Sequence, residues 1–283
     1  MPLPASPMIG TCGFSYPEWR GRFYPPELAQ GGWLGFYAQS FDALELDSTF
    51  YRPPDRAVVA GWADALPETF ALAAKVPRAI THEARLAGDE AVGMLHAFAA
   101  SLAPLGDRLL AVLLQLPPSL SADEGERRLE RLLASRPSWL PVVVEVRHPS
   151  WYEHSEDPWL AGLLAGLDAS LARVEYPGAP PPVDWAGPIG YGRLLGDRAE
   201  MPEIGVRRHG QPEALDRWAE LAVRVADAGR PVAVFANNRF EGSGFATAAE
   251  LRARVGRRPR PCPASTSSPP GGPRPSRTGP GRR

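Results

Sequence analysis

Two short segments gather carboxylates and cations by simple alternation. In Leu44-Glu45-Leu46-Asp47 the leucines share one face of an extended strand and both acids share the other. The stretch Val142–Arg147 repeats the pattern, with Val142, Val144 and Val146 opposite Val143, Glu145 and Arg147. Carboxylates of unequal burial beside cations are suited to general acid–base chemistry, because their surroundings separate their pKa values. Glu45 and Glu145 are therefore candidates for an acid–base pair. Lys75 is a third catalytic candidate. It is the single lysine in a chain with 30 arginines, and an ammonium is not equivalent to a guanidinium. Arg147 and Arg193 would grip a phosphate or carboxylate through paired N–H donors, with Lys75 beside them. Asp47, Gln115, His82, His148, Asn237 and Asn238 close or follow other apolar runs and complete a candidate substrate-binding set. Consecutive asparagines face opposite ways on a strand, so one of the two is expected inside.

Aromatic residues add a second signal. GFSYPEWRGRFYP, STFYRPPD and RHPSWYEHSEDPW put Tyr16, Trp19, Tyr24, Tyr51, Trp151 and Tyr152 just after strands. Tyr16, Trp19 and Trp151 are expected to line the mouth of a pocket, although loop packing accounts for such rings equally well. Other chemistries lack their motifs: there is no G-x-S-x-G, Walker or H-E-x-x-H segment. Cys12 reads as a small core thiol. His82, His148 and His154 with Asp47 or Glu145 would make a metal site, but the arginines and lysine around them argue against it. No metal and no cofactor are expected.

The elements that must position these groups alternate. Eight β-type runs are predicted at 8–14, 42–50, 70–76, 109–116, 141–148, 170–176, 188–195 and 231–238. Helices are expected at Trp33–Ser40, Asp55–Ala65, Asp89–Ala103, Ala122–Ser135, Asp157–Gly166, Glu213–Ala228 and Ala246–Val255. This rhythm predicts an α/β fold, a single (β/α)8 TIM-type barrel over residues 1–255. A doubly wound open sheet is the structural alternative, and it lacks the G-x-G-x-x-G turn. The leucine and valine faces then meet the outer helices, and the charged faces point inward near the carboxyl ends of the strands, where barrel active sites lie. Pro177–Gly187 and Gly196–Pro212 read as long end loops.

Composition narrows the classes of partner. The 283 residues are 44% hydrophobic, carry 31 basic and 32 acidic side chains, and hold two cysteines. Residues 256–283 contain seven arginines and no acid, which leaves 24 basic against 32 acidic residues in the body. The body is thus −8 and the tail +7. An acidic body argues against nucleic-acid binding through overall charge, though the basic tail allows a weak contact. The Pro/Gly/Ser/Arg-rich tail is expected to be disordered. No apolar run reaches the roughly 18 residues of a membrane helix, and the N-terminus lacks a secretory pattern, so a cytoplasmic location is expected. Nothing in the sequence speaks to oligomeric state.

IGTCGFSYPEWRGRFYP, LELDSTFYRPP, FALAAKVPRAITH, LLQLPPS, VVVEVRHPSW and FANN together resemble the domain-of-unknown-function 72 proteins, the YecE-like family. The resemblance runs through residues 8–255 in order, and it implies a TIM-type barrel of unestablished activity. Three departures stand out. The family usually has G-T-S-G-W after its first strand, where this chain has Gly10–Phe14 as G-T-C-G-F. Asp47 stands in an Asn place. Leu195 stands where R-x-H-G is common on the seventh strand.

These observations predict an enzyme of the hydrolase or lyase kind, acting on a small polar or anionic substrate through carboxylate acid–base chemistry. Three other readings use the same residues. One is a salt-bridged plug that only sets strand register. Another is a barrel that binds an anion without turnover. The third is a metal-dependent, nuclease-like barrel.

Overall fold

Short parallel strands form a ring whose interior holds both small and large side chains. The computed structural model describes residues 6–152, 159–177, 184–197, 199–201 and 203–257. The strands are β1 (Met8–Cys12), β2 (Ala43–Leu46), β3 (Ala71–Lys75), β4 (Leu109–Gln115), β5 (Val142–Glu145), β6 (Ala169–Leu171), β7 (Arg173–Glu175), β8 (Gly190–Leu194) and β9 (Val232–Ala236). All pair in parallel, in the order β6-β5-β4-β3-β2-β1-β9-β8-β7. The two ends of that order are halves of one apolar run interrupted at Ala172. The chain itself therefore joins the edges, and the sheet is an eight-run barrel. At the joint the Ala172 amide donates to Val144 O at 2.8 Å, while Arg173 already registers opposite Gly192 on β8.

The helices α1 (Trp33–Ser40), α2 (Arg56–Ala65), α3 (Gly88–Leu102), α4 (Ala122–Ala134), α5 (Trp159–Gly166), α6 (Pro212–Asp227), α7 (Asn238–Glu241) and α8 (Gly244–Arg257) lie between and after the strands. Strand parity sorts the apolar residues into two buried clusters. Leu44, Leu46, Leu72, Val142, Val144 and Val146 face outward, packed with helix residues such as Leu95, Leu129 and Trp218. Ala43, Ala71, Ala73, Ala111, Val143, Tyr191 and Phe235 fill the interior, small against large, as the taper of a narrow barrel demands. A register shift between Leu72 and Ala73 leaves Leu110 as an extra residue on β4, and it too joins the interior cluster. At the β1–β2 seam the strands come close enough that a Cβ on Gly10 would lie 1.9 Å from Ala43 O. The Tyr37 hydroxyl bridges the same seam, accepting from Thr11 N at 2.8 Å and donating to Ala43 O at 3.1 Å.

The expected (β/α)8 architecture is present, with local corrections. The second run stops being a strand at Leu46, and Asp47–Phe50 form a 3-10 turn because Thr49 Oγ1 donates back to Leu46 O at 2.8 Å. The sixth run splits in two. A short helix, α7, follows the eighth run directly and is capped by Asn237, whose Oδ1 accepts from Arg239 N at 2.9 Å. The last helix continues to Arg257, two residues beyond the expected limit of the barrel domain. The expected disordered tail, from residue 258 onward, and His154 lie outside the described residues. No helix among them is long and apolar enough to cross a membrane.

Candidate functional site

Above the interior apolar layer lies a layer of charge. Arg193 on β8 is 2% exposed and divides its guanidinium between two strands. Its Nη2 meets Glu45 Oε1 at 2.7 Å, its Nε meets Glu45 Oε2 at 2.9 Å, and its Nη1 meets Glu145 Oε2 at 2.6 Å. The Tyr191 hydroxyl donates to Glu45 Oε2 at 2.6 Å, and Arg147 Nε donates to Glu145 Oε1. Every carboxylate oxygen of the pair thus has a partner, which is the condition under which buried charge is tolerated. Burial works to raise the Glu145 pKa, but the Arg193 and Arg147 guanidiniums outweigh it and hold the carboxyl below its ordinary value. Burial and the Glu45 carboxylate push the Tyr191 phenol well up, so it stays a donor.

One layer further out the strands open into a cavity of about 510 Å3. Its wall takes Asp47, Lys75, Gln115, Arg147, Asn237 and Asn238 from the ends of five runs. Arg193 contributes from below, and Tyr16 from the loop after β1. Lys75 Nζ is 3.8 Å from Asp47 Oδ1 and 4.4 Å from the centre of the Phe50 ring. Arg193 Nη2 lies 3.6 Å from the same Asp47 oxygen. These are ion-pair distances without hydrogen bonds, and Asp47 Oδ1 is buried with no hydrogen-bond partner, as is Gln115 Oε1. Burial, and then the Glu45 charge, raise the Asp47 carboxyl to about 6, with Arg193 and Lys75 opposing. Burial lowers the Lys75 ammonium from its usual value, partly offset by Asp47. Proton affinities of acid and ammonium are thereby drawn toward neutrality on neighbouring groups.

Several candidates sit elsewhere. Trp19 and Trp151 do not line the mouth. Trp19 is 0% and Trp151 2% exposed, so both rings are buried away from the cavity wall. Trp19 Nε1 donates to Asn238 Oδ1 at 3.1 Å, and Trp151 Nε1 donates to Leu120 O at 2.8 Å. Trp151 is also locked by Gly125, where an added Cβ would fall 2.7 Å from the ring. His148 caps the turn Pro149–Trp151 by accepting from Ser150 N, and it is not part of the cavity wall. His82 lies on a π-helical turn, bonded to Thr81 Oγ1 and set edge-on to Phe50 at 5.0 Å. Burial and the cations Lys75, Arg78 and Arg85 lower its pKa. Both asparagines reach the cavity wall, because the strand ends at Ala236 and the helical turn after it brings Asn238 around beside Asn237.

Other functional neighbours carry weaker signals in the sequence. Tyr191 lies two residues before Arg193, so the same alternation could have found it. Arg239, Leu195, Ile204 and Tyr51 also line the cavity. Ile204 sits in an aperiodic loop and has no sequence signal. That loop is fixed by Glu241, 0% exposed, which accepts from Arg207 Nη2 at 2.8 Å, Gln211 N at 2.6 Å and Thr247 Oγ1 at 2.7 Å.

Cys12, Glu45 and Asp47 bring possible ligand atoms within 4.8 Å of one another. The Arg193 guanidinium stands among them, 3.9 Å from Cys12 Sγ and 2.7 Å from Glu45. Burial, reinforced by Glu45, pushes the Cys12 thiol well above its usual pKa, which disfavours the thiolate a metal would need. Arg193 supplies the positive charge that this trio would otherwise attract.

A family model described as "Protein of unknown function DUF72" matches residues 8–273, running past the limit of the motif resemblance at Val255. UPF0759 protein YecE of Escherichia coli (strain K12) is 30% identical over 152 residues, 53% of this chain and 51% of that one. UPF0759 protein YunF of Bacillus subtilis (strain 168) is 29% identical over 133 residues, 46% of this chain and 47% of that one. The chain spans about half the length of the curated relatives it matches. The crystal structure of a DUF72 family protein from Thermotoga maritima MSB8 superposes with a TM-score of 0.74 at 24% identity, covering 89% of this chain and 100% of the other. One from Enterococcus faecalis V583 gives 0.72 at 23% identity, covering 88% and 95%. These structures share the fold.

Proposed function

This chain belongs to the DUF72 family, and from that premise we propose that it is an enzyme of the hydrolase or lyase kind acting on a small anionic substrate at the barrel mouth. The observation that carries the reading is the pair of buried, unpartnered oxygens on the cavity wall, Asp47 Oδ1 and Gln115 Oε1. A buried acceptor without a donor costs free energy in the empty protein, so a ligand that donates to both recovers it. Lys75, Arg147 and Arg239 give the same wall more positive than negative charge, which suits a phosphate or carboxylate.

Glu45 and Glu145 hold Arg193 in this reading, and the proton-transfer role passes outward to Asp47 and Lys75. With a carboxyl near 6, Asp47 is mostly ionised at pH 7 and takes a proton from substrate or from water. The Lys75 ammonium, 3.8 Å away, neutralises the negative charge that develops and gives its own proton to the leaving group. The proton on Asp47 then passes to the Lys75 amine and restores both groups. Asn237 and Gln115 orient the substrate. Once a substrate is in hand, Asp47→Asn should lower turnover by about 10²–10⁴-fold. Wild-type kcat/KM should rise with pH through about 6 as the base ionises. Full turnover in Asp47→Asn sinks the assignment.

A barrel that binds an anion without turnover is the second reading. It is favoured by Leu195, which leaves the β8 end of the cavity without a titratable side chain of its own above Arg193. A ligand that stabilises the protein strongly and is recovered unchanged would select it.

A further inference from the structure

Among the residues that border the cavity, Leu195, Ile204 and Tyr51 bring apolar surface to it. Leu195 stands at the end of β8, half-buried on the upper surface of the interior cluster. Ile204 is half-buried at the edge of the cavity and belongs to neither of the two buried clusters among the described residues. Tyr51 projects from the turn after β2 with 79% of its surface exposed, its ring edge-on to Phe50 at 5.1 Å. All three border the same cavity as Lys75 and Arg147. A loop aliphatic carried to a polar mouth gains little by itself, whereas a ligand with an apolar body would cover it and be held by it.

The loop is built to keep Ile204 there. Gly205 takes a φ of +95°, and its amide donates to Gly242 O at 2.7 Å. Arg208 N donates to Glu241 O at 2.8 Å, and the Arg207 guanidinium bonds Glu241 and Glu250. The residues that follow Ile204 are therefore tied to α7 and its cap, so the isoleucine is presented by a fixed support.

We propose that the site selects an anion with an apolar body, aryl or branched alkyl, its charged head on Lys75 and Arg147 and its body against Leu195, Ile204 and Tyr51. This rests on the anion-binding mouth proposed above and narrows its substrate class. A sugar or glycerol phosphate would turn hydroxyls toward Leu195 and Ile204, which offer them no hydrogen bond, whereas the donor that Asp47 Oδ1 and Gln115 Oε1 require is supplied by a singly protonated head. At about 510 Å3 the cavity lies within the roughly 300–1,000 Å3 of small-molecule sites, large enough for a ring and its head.

The test is calorimetric titration of the full chain with inorganic phosphate, glycerol phosphate, phenyl phosphate and benzoate, in wild type and in Ile204→Ser and Leu195→Asn. Phenyl phosphate should bind at least about tenfold tighter than glycerol phosphate. Each variant should shrink that ratio by about threefold or more while leaving the affinity for inorganic phosphate unchanged. Benzoate binding as tightly as phenyl phosphate would assign the head as a carboxylate, and much weaker binding would assign it as a phosphate; both support the apolar body. Equal affinity for glycerol and phenyl phosphate, lost in Arg147→Ala, overturns the inference and leaves the anion-binding mouth standing. No binding of any anion overturns both.

Discussion

Glu45 and Asp47 lie two residues apart on the same inward face, yet they do opposite things. Glu45 is 0% exposed and saturated by Arg193 and Tyr191. Asp47 keeps a buried oxygen without a hydrogen bond, only ion-pair neighbours at 3.6 and 3.8 Å, and a carboxyl raised to about 6. Glu45 lies within β2, whereas Asp47 begins the turn that follows it, one step nearer the mouth. The lower layer is a closed ionic lattice in which each charge answers another. The upper layer is the same kind of chemistry left open. Charges inside a barrel therefore need not choose between structure and function: depth decides, because depth decides which of them are fully partnered.

That contrast can be broken from either side. The largest effect should come from Arg193→Met, which leaves Glu45 without its cation and Glu145 with Arg147 alone, and should cost about 3–5 kcal/mol in chemical denaturation. A loss below about 1 kcal/mol would make the two layers energetically alike. Tyr191→Phe removes one charge-assisted bond from the lower layer, and about 1.5–3 kcal/mol should go with it. Asp47→Asn in the upper layer should move the other way and stabilise the protein at pH 7.5. Its raised carboxyl favours the protonated acid, so that contribution is present below the unfolded value of about 3.9 and is lost as pH rises through about 6. The side chain is 29% exposed, so screening reduces the gain to about 1–2 kcal/mol. Destabilisation by this substitution would mean that the rim is as closed as the layer beneath it.

A pH titration of stability separates the layers in one protein. From pH 7.5 to 5 the Asp47 contribution should return, and Asp47→Asn should flatten that part of the curve. Further down the sign reverses. Glu145, held below its ordinary value by Arg193 and Arg147, contributes above the unfolded pKa and loses that contribution as pH falls through its lowered folded value.

The faces of this barrel are legible in its sequence. Alternation in ALELD and VVVEVR assigns Glu45, Asp47, Glu145 and Arg147 to the interior, and parity on β3, β4 and β8 does the same for Lys75, Gln115 and Arg193. Height is not legible, because a period of two repeats identically at every level of a strand. The alternation therefore nominates Glu45 and Glu145 as readily as Asp47. The tryptophans mislead for a different reason. Residues after a strand can line the mouth or be buried away from it, and Trp19 and Trp151 take the second course to place each indole N–H on a buried acceptor. Arg239 and Ile204 have no pattern to betray them, since they arrive on a capped helical turn and an aperiodic loop.

Lys75 carries a practical consequence. It is the only lysine in the sequence, it stands in the cavity wall, and burial lowers its pKa. Apart from the terminal amine, an amine-directed acylating reagent thus has one address on this chain, with an enlarged neutral, nucleophilic fraction. The rate at which that single ε-amine is labelled becomes a built-in gauge of mouth occupancy, readable by intact mass in crude mixtures whatever the ligand's identity.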